Sequence, residues 1–175
     1  MQMRYDTHLA TTIAAGSGIC FFQQDTSFTT VYITGLIAGS LLPDIDEPSS
    51  FLGRRLTFIS RPVKRIFGHR GITHSVLTWM ILAYLLSPFE HPFLTGLLIG
   101  YAVHLAGDLF SSRSIPLFAP FSSFRLKMPV TYKTSGLAEN IILFISVVIS
   151  IVFIQQGELI VDILQGPGIQ TLIFP

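Results

Sequence analysis

The arrangement of charge around apolar stretches constrains this 175-residue chain most strongly. Five apolar segments can be marked, at about 9–24, 28–43, 73–89, 93–110 and 140–155. All 11 Lys and Arg residues fall in alternate gaps: Arg4 before the first segment, Arg54, Arg55, Arg61, Lys64, Arg65 and Arg70 between the second and third, and Arg113, Arg125, Lys127 and Lys133 between the fourth and fifth. The other gaps and the far end carry acids alone, namely Asp25, Glu90, Glu158 and Asp162. Water gives a soluble fold no reason to sort surface charge in this way. A bilayer does, because loops rich in Lys and Arg are retained on the cytoplasmic side. Half of the residues are hydrophobic and 12% are charged, against roughly 25% charged in soluble proteins.

The expected fold class is therefore all-α: a polytopic membrane helical bundle of about five spans, forming one domain over residues 1–175. It would be a multi-pass membrane protein with its N-terminus on the cytoplasmic side and its C-terminus outside. Asp6 interrupts what would be a basic signal region, and no small-residue cleavage site precedes Gln23, so the first segment reads as a retained span. Several segments are nearer 16 residues than the ~20 of an upright span. The first two are rich in small residues (Gly16, Ser17, Gly18, Gly35, Gly39), which predicts close helix packing.

Two connections are distinctive. In 47–72, Leu52, Leu56, Ile59, Val63 and Ile66/Phe67 recur at helical spacing between Arg54, Arg55, Arg61, Lys64 and Arg65. That pattern predicts a basic amphipathic helix lying in the membrane interface, bent at Pro62, with membrane lipids as partners. Its cations either anchor the chain or recruit an anionic substrate. The 111–138 connection, with Pro116, Pro120 and Pro129, reads as an ordered loop capping the same side. The sequence leaves open whether 157–175 associates with the membrane. A net charge of +1 gives no reason to expect nucleic acid, and the lone Cys20 excludes an internal disulfide and a thiolate metal site.

Within this topology the unusual polar residues gather at one end. His8 opens the first segment, Asp44 and Asp46 close the second, His69, Arg70 and His74 begin the third, and His104 and Asp108 occupy the last turns of the fourth. His104 and Asp108 are four residues apart and share a helical face. Ionisable groups in such apolar surroundings are costly and usually functional. Imidazole and carboxylate without thiolate suit a divalent metal: Zn²⁺ first, with Mn²⁺ or Fe²⁺ as alternatives, as one or two ions. The expected ligands are His8, Asp44, Asp46, His74, His104 and Asp108. Arg70 would meet a phosphate oxygen, with His69 beside it. Plainer roles stand next to these. The same His and Asp residues could form structural pairs, Asp46 could be a turn residue, and Glu139 could be a carboxylate favoured by a helix N-terminus. His91, on the outer turn, reads as a surface residue. No His-Glu-x-x-His or Walker motif is present.

The set Thr7-His8, Leu41-Leu-Pro-Asp-Ile-Asp46, His69-Arg-Gly-Ile-Thr-His-Ser75 and His104-x-x-x-Asp108 resembles the YdjM family over about residues 3–140. That resemblance implies an inner-membrane, metal-dependent hydrolase. The order of the motifs is also loosely similar to the helical zinc-dependent phospholipase C and single-strand nuclease group, which would imply a phosphoester substrate, with a lipid-linked one among the alternatives. The further His…His-x-x-x-Glu set of that group is missing after Asp108. Two other classes compete with the hydrolase: a transporter or sensor that binds metal in transit, and a catalytically silent scaffold. The outer halves of the segments offer no polar path for transport.

The charge pattern makes a direct prediction. A reporter fused after Pro175 should respond as periplasmic, and one inserted within 113–134 as cytoplasmic. A cytoplasmic signal from the C-terminal fusion would require an even number of spans.

Overall fold

A computed structural model describes residues 3–23, 28–68, 71–111, 114–132 and 134–165, with side chains through Gly157. Among these residues there are six α-helices: α1 (Tyr5–Gln23), α2 (Thr30–Leu41), α3 (Thr57–Phe67), α4 (Val76–Leu86), α5 (Pro92–Leu109) and α6 (Leu137–Gln165). Short 3₁₀ turns at Pro43–Asp46 and Ile72–His74 follow α2 and precede α4. A two-stranded antiparallel ladder, β1 (Ile115–Pro116) and β2 (Arg125–Leu126), lies in the loop after α5. The fold is thus mostly helical, with a small β-hairpin where an ordered capping loop was expected.

Helix boundaries follow local chemistry. Thr29 caps α2 by accepting a hydrogen bond from the Tyr32 amide. His91 does the same for α5, its Nδ1 accepting from the Phe93 amide, with Pro92 in the first turn, where a missing N–H costs nothing. This gives the exposed outer-turn histidine a structural role. In the 47–72 connection the helix is shorter than its apolar periodicity suggests. Turns occupy 48–55, and α3 begins at Thr57, keeping Pro62 inside it.

Helices α2 and α5 make the closest packing in the molecule. They run parallel, since Gly35 and Gly39 lie against the backbone of Phe93 and Leu97, and Gly96 and Gly100 against Tyr32 and Leu36. A Cβ at any of these glycines would collide with a carbonyl oxygen of the facing helix. Two Gly-x-x-x-Gly stripes therefore face one another and let the backbones touch. Helix α1 packs mainly on α6, and its Gly16 receives the Leu36 side chain. The Trp79 indole donates to the Leu98 carbonyl (2.9 Å), pinning α4 to α5. The buried core there is Tyr101, Leu105 and Ile115, flanked by Val76, Trp79 and Leu82.

Two helical stretches, Pro92–Leu109 and Leu137–Gly157, are long and apolar enough to cross a membrane. Only 17% of the second is buried, whereas the core helix of a soluble protein would be mostly buried. Met80, Ile81, Tyr84 and Leu85 of α4, and Phe144, Ile145, Val148 and Ile151 of α6, are all exposed. Helix α4 (11 residues) and α2 (12 residues) fall short of a full bilayer thickness.

The glycine contact is open to test. Gly39→Ala and Gly100→Ala should each destabilise the detergent-solubilised protein by about 1–3 kcal/mol or more, the usual cost of overpacking. Gly157→Ala, at a helical site with open space around it, should be neutral or stabilising by up to about 1 kcal/mol. Thermal melts of the three variants make the comparison, and equal shifts would remove the special status of the α2–α5 contact.

A candidate metal centre at one end of the bundle

The parallel α2–α5 contact brings the end of α2 and its 3₁₀ turn beside the last two turns of α5. His8 enters from the start of α1, and His74 from the turn before α4. His8, Asp46, His74, His104 and Asp108 are all at most 1% exposed, while Asp44, at 6%, is the most open of the set. Four separate elements thus deliver three imidazoles and three carboxylates to one buried layer.

His104 shows most clearly what the layer is built for. Its Nδ1 lies 2.7 Å from the Ser40 carbonyl oxygen, which can only accept, so Nδ1 carries the proton. In the neutral ring Nε2 then presents a lone pair. That atom makes no hydrogen bond and stands 3.7 Å from both Asp44 Oδ1 and Asp108 Oδ2. Lone pairs thus converge on lone pairs at a separation beyond hydrogen-bond range.

His74 is oriented in the same sense. Thr73 donates through Oγ1 to Asp46 Oδ2 (2.7 Å). His74 Nδ1 lies 3.2 Å from that hydroxyl and 3.3 Å from the same carboxylate oxygen. Its Nε2 then faces Asp44 Oδ1 and Asp108 Oδ2, each at 3.4 Å. Each of the two imidazole Nε2 atoms thus lies 3.4–3.7 Å from one oxygen of Asp44 and one of Asp108. Ligands about 2.0–2.1 Å from a tetrahedral ion sit roughly 3.4 Å apart, so the donor set fits a divalent cation. His8 Nε2 meets the second oxygen of Asp108 at 3.7 Å. The His8 and His104 rings stack 3.9 Å apart at 10°. His8, His104 and Asp108 form one group able to hold an ion, and Asp44, His74 and His104 another.

Charge within the layer is mutually supported. Burial pushes the Asp44 carboxyl up, but the His104 and His74 imidazoles, when protonated, outweigh it and hold Asp44 at about 2. A cation bound here would take over the role of those protons, so loading releases them.

Of the six ligands expected from sequence, His8, Asp44, His74, His104 and Asp108 lie in the two metal-capable groups. Asp46 stands behind His74, where carboxylates commonly orient metal-bound histidines. His69 and Arg70 lie outside the described residues. Glu139 is buried away from these groups, accepting from the Arg4 and Ser135 amides, and so ties the start of α1 to the start of α6. Sequence reasoning missed Ser40, Thr73 and Tyr101, the last of which donates to the Thr73 carbonyl. Thr73 carried a signal in its adjacency to His74. Ser40, acting through its carbonyl, carried none.

The chain is 40% identical over 111 residues to "Inner membrane protein YdjM" of Escherichia coli (strain K12), covering 59% of this chain and 56% of that protein. The Shigella flexneri protein of the same name gives the same figures. The uncharacterized protein YvsG of Bacillus subtilis (strain 168) is 36% identical over 107 residues, covering 60% of this chain and 66% of that protein. The match thus spans little more than half the length of the YdjM proteins. No solved structure matches. The looser similarity to the phospholipase C and nuclease group gains no support from these relatives. A profile of the YdjM inner membrane protein matches residues 3–171, and the chain belongs to that family of inner membrane proteins.

Proposed function

We propose that this chain is a membrane-embedded, metal-dependent hydrolase of a phosphoester, with its centre at the cytoplasmic face. The observation that carries the metal reading is His104, whose Nδ1 is held by Ser40 while Nε2 faces two carboxylate oxygens. Asp44, His74 and His104 would hold one ion, and His8 with Asp108 would contribute to another. The donor set suits Zn²⁺, with Mn²⁺ or Fe²⁺ as alternatives. Bound metal would supply Lewis acidity toward a phosphoryl oxygen and lower the pKa of water.

The residues themselves perform the remaining work. Ser40 and Asp46 fix the two imidazole orientations, so no reorganisation is needed when charge develops. Asp44, the most exposed of the set, marks the side from which substrate would approach. Arg70 would orient the phosphate, with His69 beside it. The helix directions support five membrane-crossing elements: α2 and α5 end at the centre, whereas α1, α4 and α6 begin beside it. That alternation agrees with a cytoplasmic N-terminus and a periplasmic C-terminus.

A second reading is favoured by the near-complete burial of His8, His74, His104 and Asp108. In it the ion is structural and locks the helix ends without turnover. Two measurements on purified protein separate these readings. Metal per chain by elemental analysis should be one or two, falling by at least one ion in Asp108→Asn and His104→Ala while membrane insertion persists. Chelation should lower the melting temperature, since a ligand present at a hundred times its Kd contributes about 2.7 kcal/mol. Metal at wild-type level in both variants, with melting insensitive to chelator, would sink the metal reading. Metal-dependent turnover of a generic phosphoester supports the hydrolase, and a loaded protein without turnover points to the structural ion.

Asp46→Asn provides a finer test. If Asp46 acts through His74, the variant should keep the metal stoichiometry but bind about 10–100-fold more weakly, as read by competition with a chelating dye. Complete loss of an ion would make Asp46 a direct ligand.

A further inference from the structure

Helix α3 has two surfaces with different fates. Ser60 and Lys64 face the protein. The Ser60 hydroxyl donates to the Gly53 carbonyl (3.1 Å), and Lys64 Nζ pairs with both Glu47 oxygens (2.8 and 3.0 Å). The connection continues to the metal-capable turn, because Ser50 donates through Oγ to the Asp44 carbonyl (2.8 Å) and accepts from the Gly53 amide (2.9 Å). On the outward side Phe58 and Ile66 are 72% and 70% exposed, with Pro62 one helical turn from each. Arg61 and Arg65 flank this apolar strip, exposed and without an ion pair among the described residues. Arg54 and Arg55, in the preceding turn, are also exposed.

An apolar strip bordered by cations matches one partner chemistry: acyl chains below an anionic headgroup layer. We propose that α3 is a docking surface for anionic phospholipid of the protein's own bilayer. Phe58, Pro62 and Ile66 would enter the acyl boundary while Arg61 and Arg65 engage lipid phosphates. Membership of an inner membrane protein family puts that surface beside such lipid, and the Lys64–Glu47 and Ser60–Gly53 contacts fix α3 to the segment carrying Asp44. The proposal stands apart from the metal reading, because its argument uses only the exposed face of α3.

The full chain in mild detergent, titrated with phosphatidylglycerol or phosphatidylcholine and read by native mass spectrometry, tests this directly. Wild type should retain phosphatidylglycerol more tightly than phosphatidylcholine. Arg61→Gln/Arg65→Gln should lose roughly fivefold in phosphatidylglycerol affinity per cation removed, with phosphatidylcholine unchanged. Arg125→Gln, which alters net charge on the hairpin instead, should leave phosphatidylglycerol binding as it is. No preference for the anionic lipid in wild type, or an undiminished preference in the double variant, overturns the proposal. A loss in Arg125→Gln equal to the loss per cation on α3 also overturns it, by reducing the effect to net charge. Displacement of the lipid by equimolar inorganic phosphate overturns it as well, since the ligand would then be a free anion.

Discussion

Backbone contact between α2 and α5 is the constraint on which the rest of the molecule depends. Gly35 and Gly39 on one helix, and Gly96 and Gly100 on the other, remove every side chain that would hold the two axes apart. Without a hydrophobic drive between helices in lipid, such close van der Waals contact is a principal source of association. The contact also sets position. It brings the Ser40 carbonyl to within 2.7 Å of His104 Nδ1. The packing that holds the bundle together thereby selects the histidine tautomer at its end.

From that tautomer the character of the buried layer follows. His104 and His74 are each fixed through Nδ1, one by a backbone carbonyl and the other by Asp46 and Thr73. Both turn Nε2 toward the same oxygens, Asp44 Oδ1 and Asp108 Oδ2. The 3.4–3.7 Å spacings of these atoms are ones that ligands of a shared cation can adopt. Glu139, by contrast, is spent on the Arg4 and Ser135 amides, and so anchors the helix starts that bring His8 to the layer.

Much of the candidate centre was legible because membrane sequences make polar residues conspicuous. His104 and Asp108 stand out in an apolar run, and helical spacing alone puts them on one face. His8, Asp44 and His74 could be grouped with them because the alternation of charge assigned each segment end to one side. Asp46 was legible as a polar residue in the right turn, but its place behind His74 was not. That place depends on how the Ile72–His74 turn lies against the Pro43–Asp46 turn. The apolar periodicity of 52–67 ran past the true start of α3, because the turns at 48–55 happen to carry Leu and Phe at similar spacing. The Gly96–Gly100 spacing was visible, yet nothing in one dimension said that it faces Gly35 and Gly39.

Residue chemistry by itself thus determined the membrane environment and the inventory of the candidate centre. Apolar content and charge order depend on transfer energies that each segment carries alone. Tertiary structure decided which donor atoms meet, which histidine nitrogen is held, and which carboxylate stands in front of or behind an imidazole. Those outcomes rest on contacts between elements as far apart as Ser40 and His104. Their geometry is set by how closely two backbones can approach, a property that neither helix possesses until it is packed against the other.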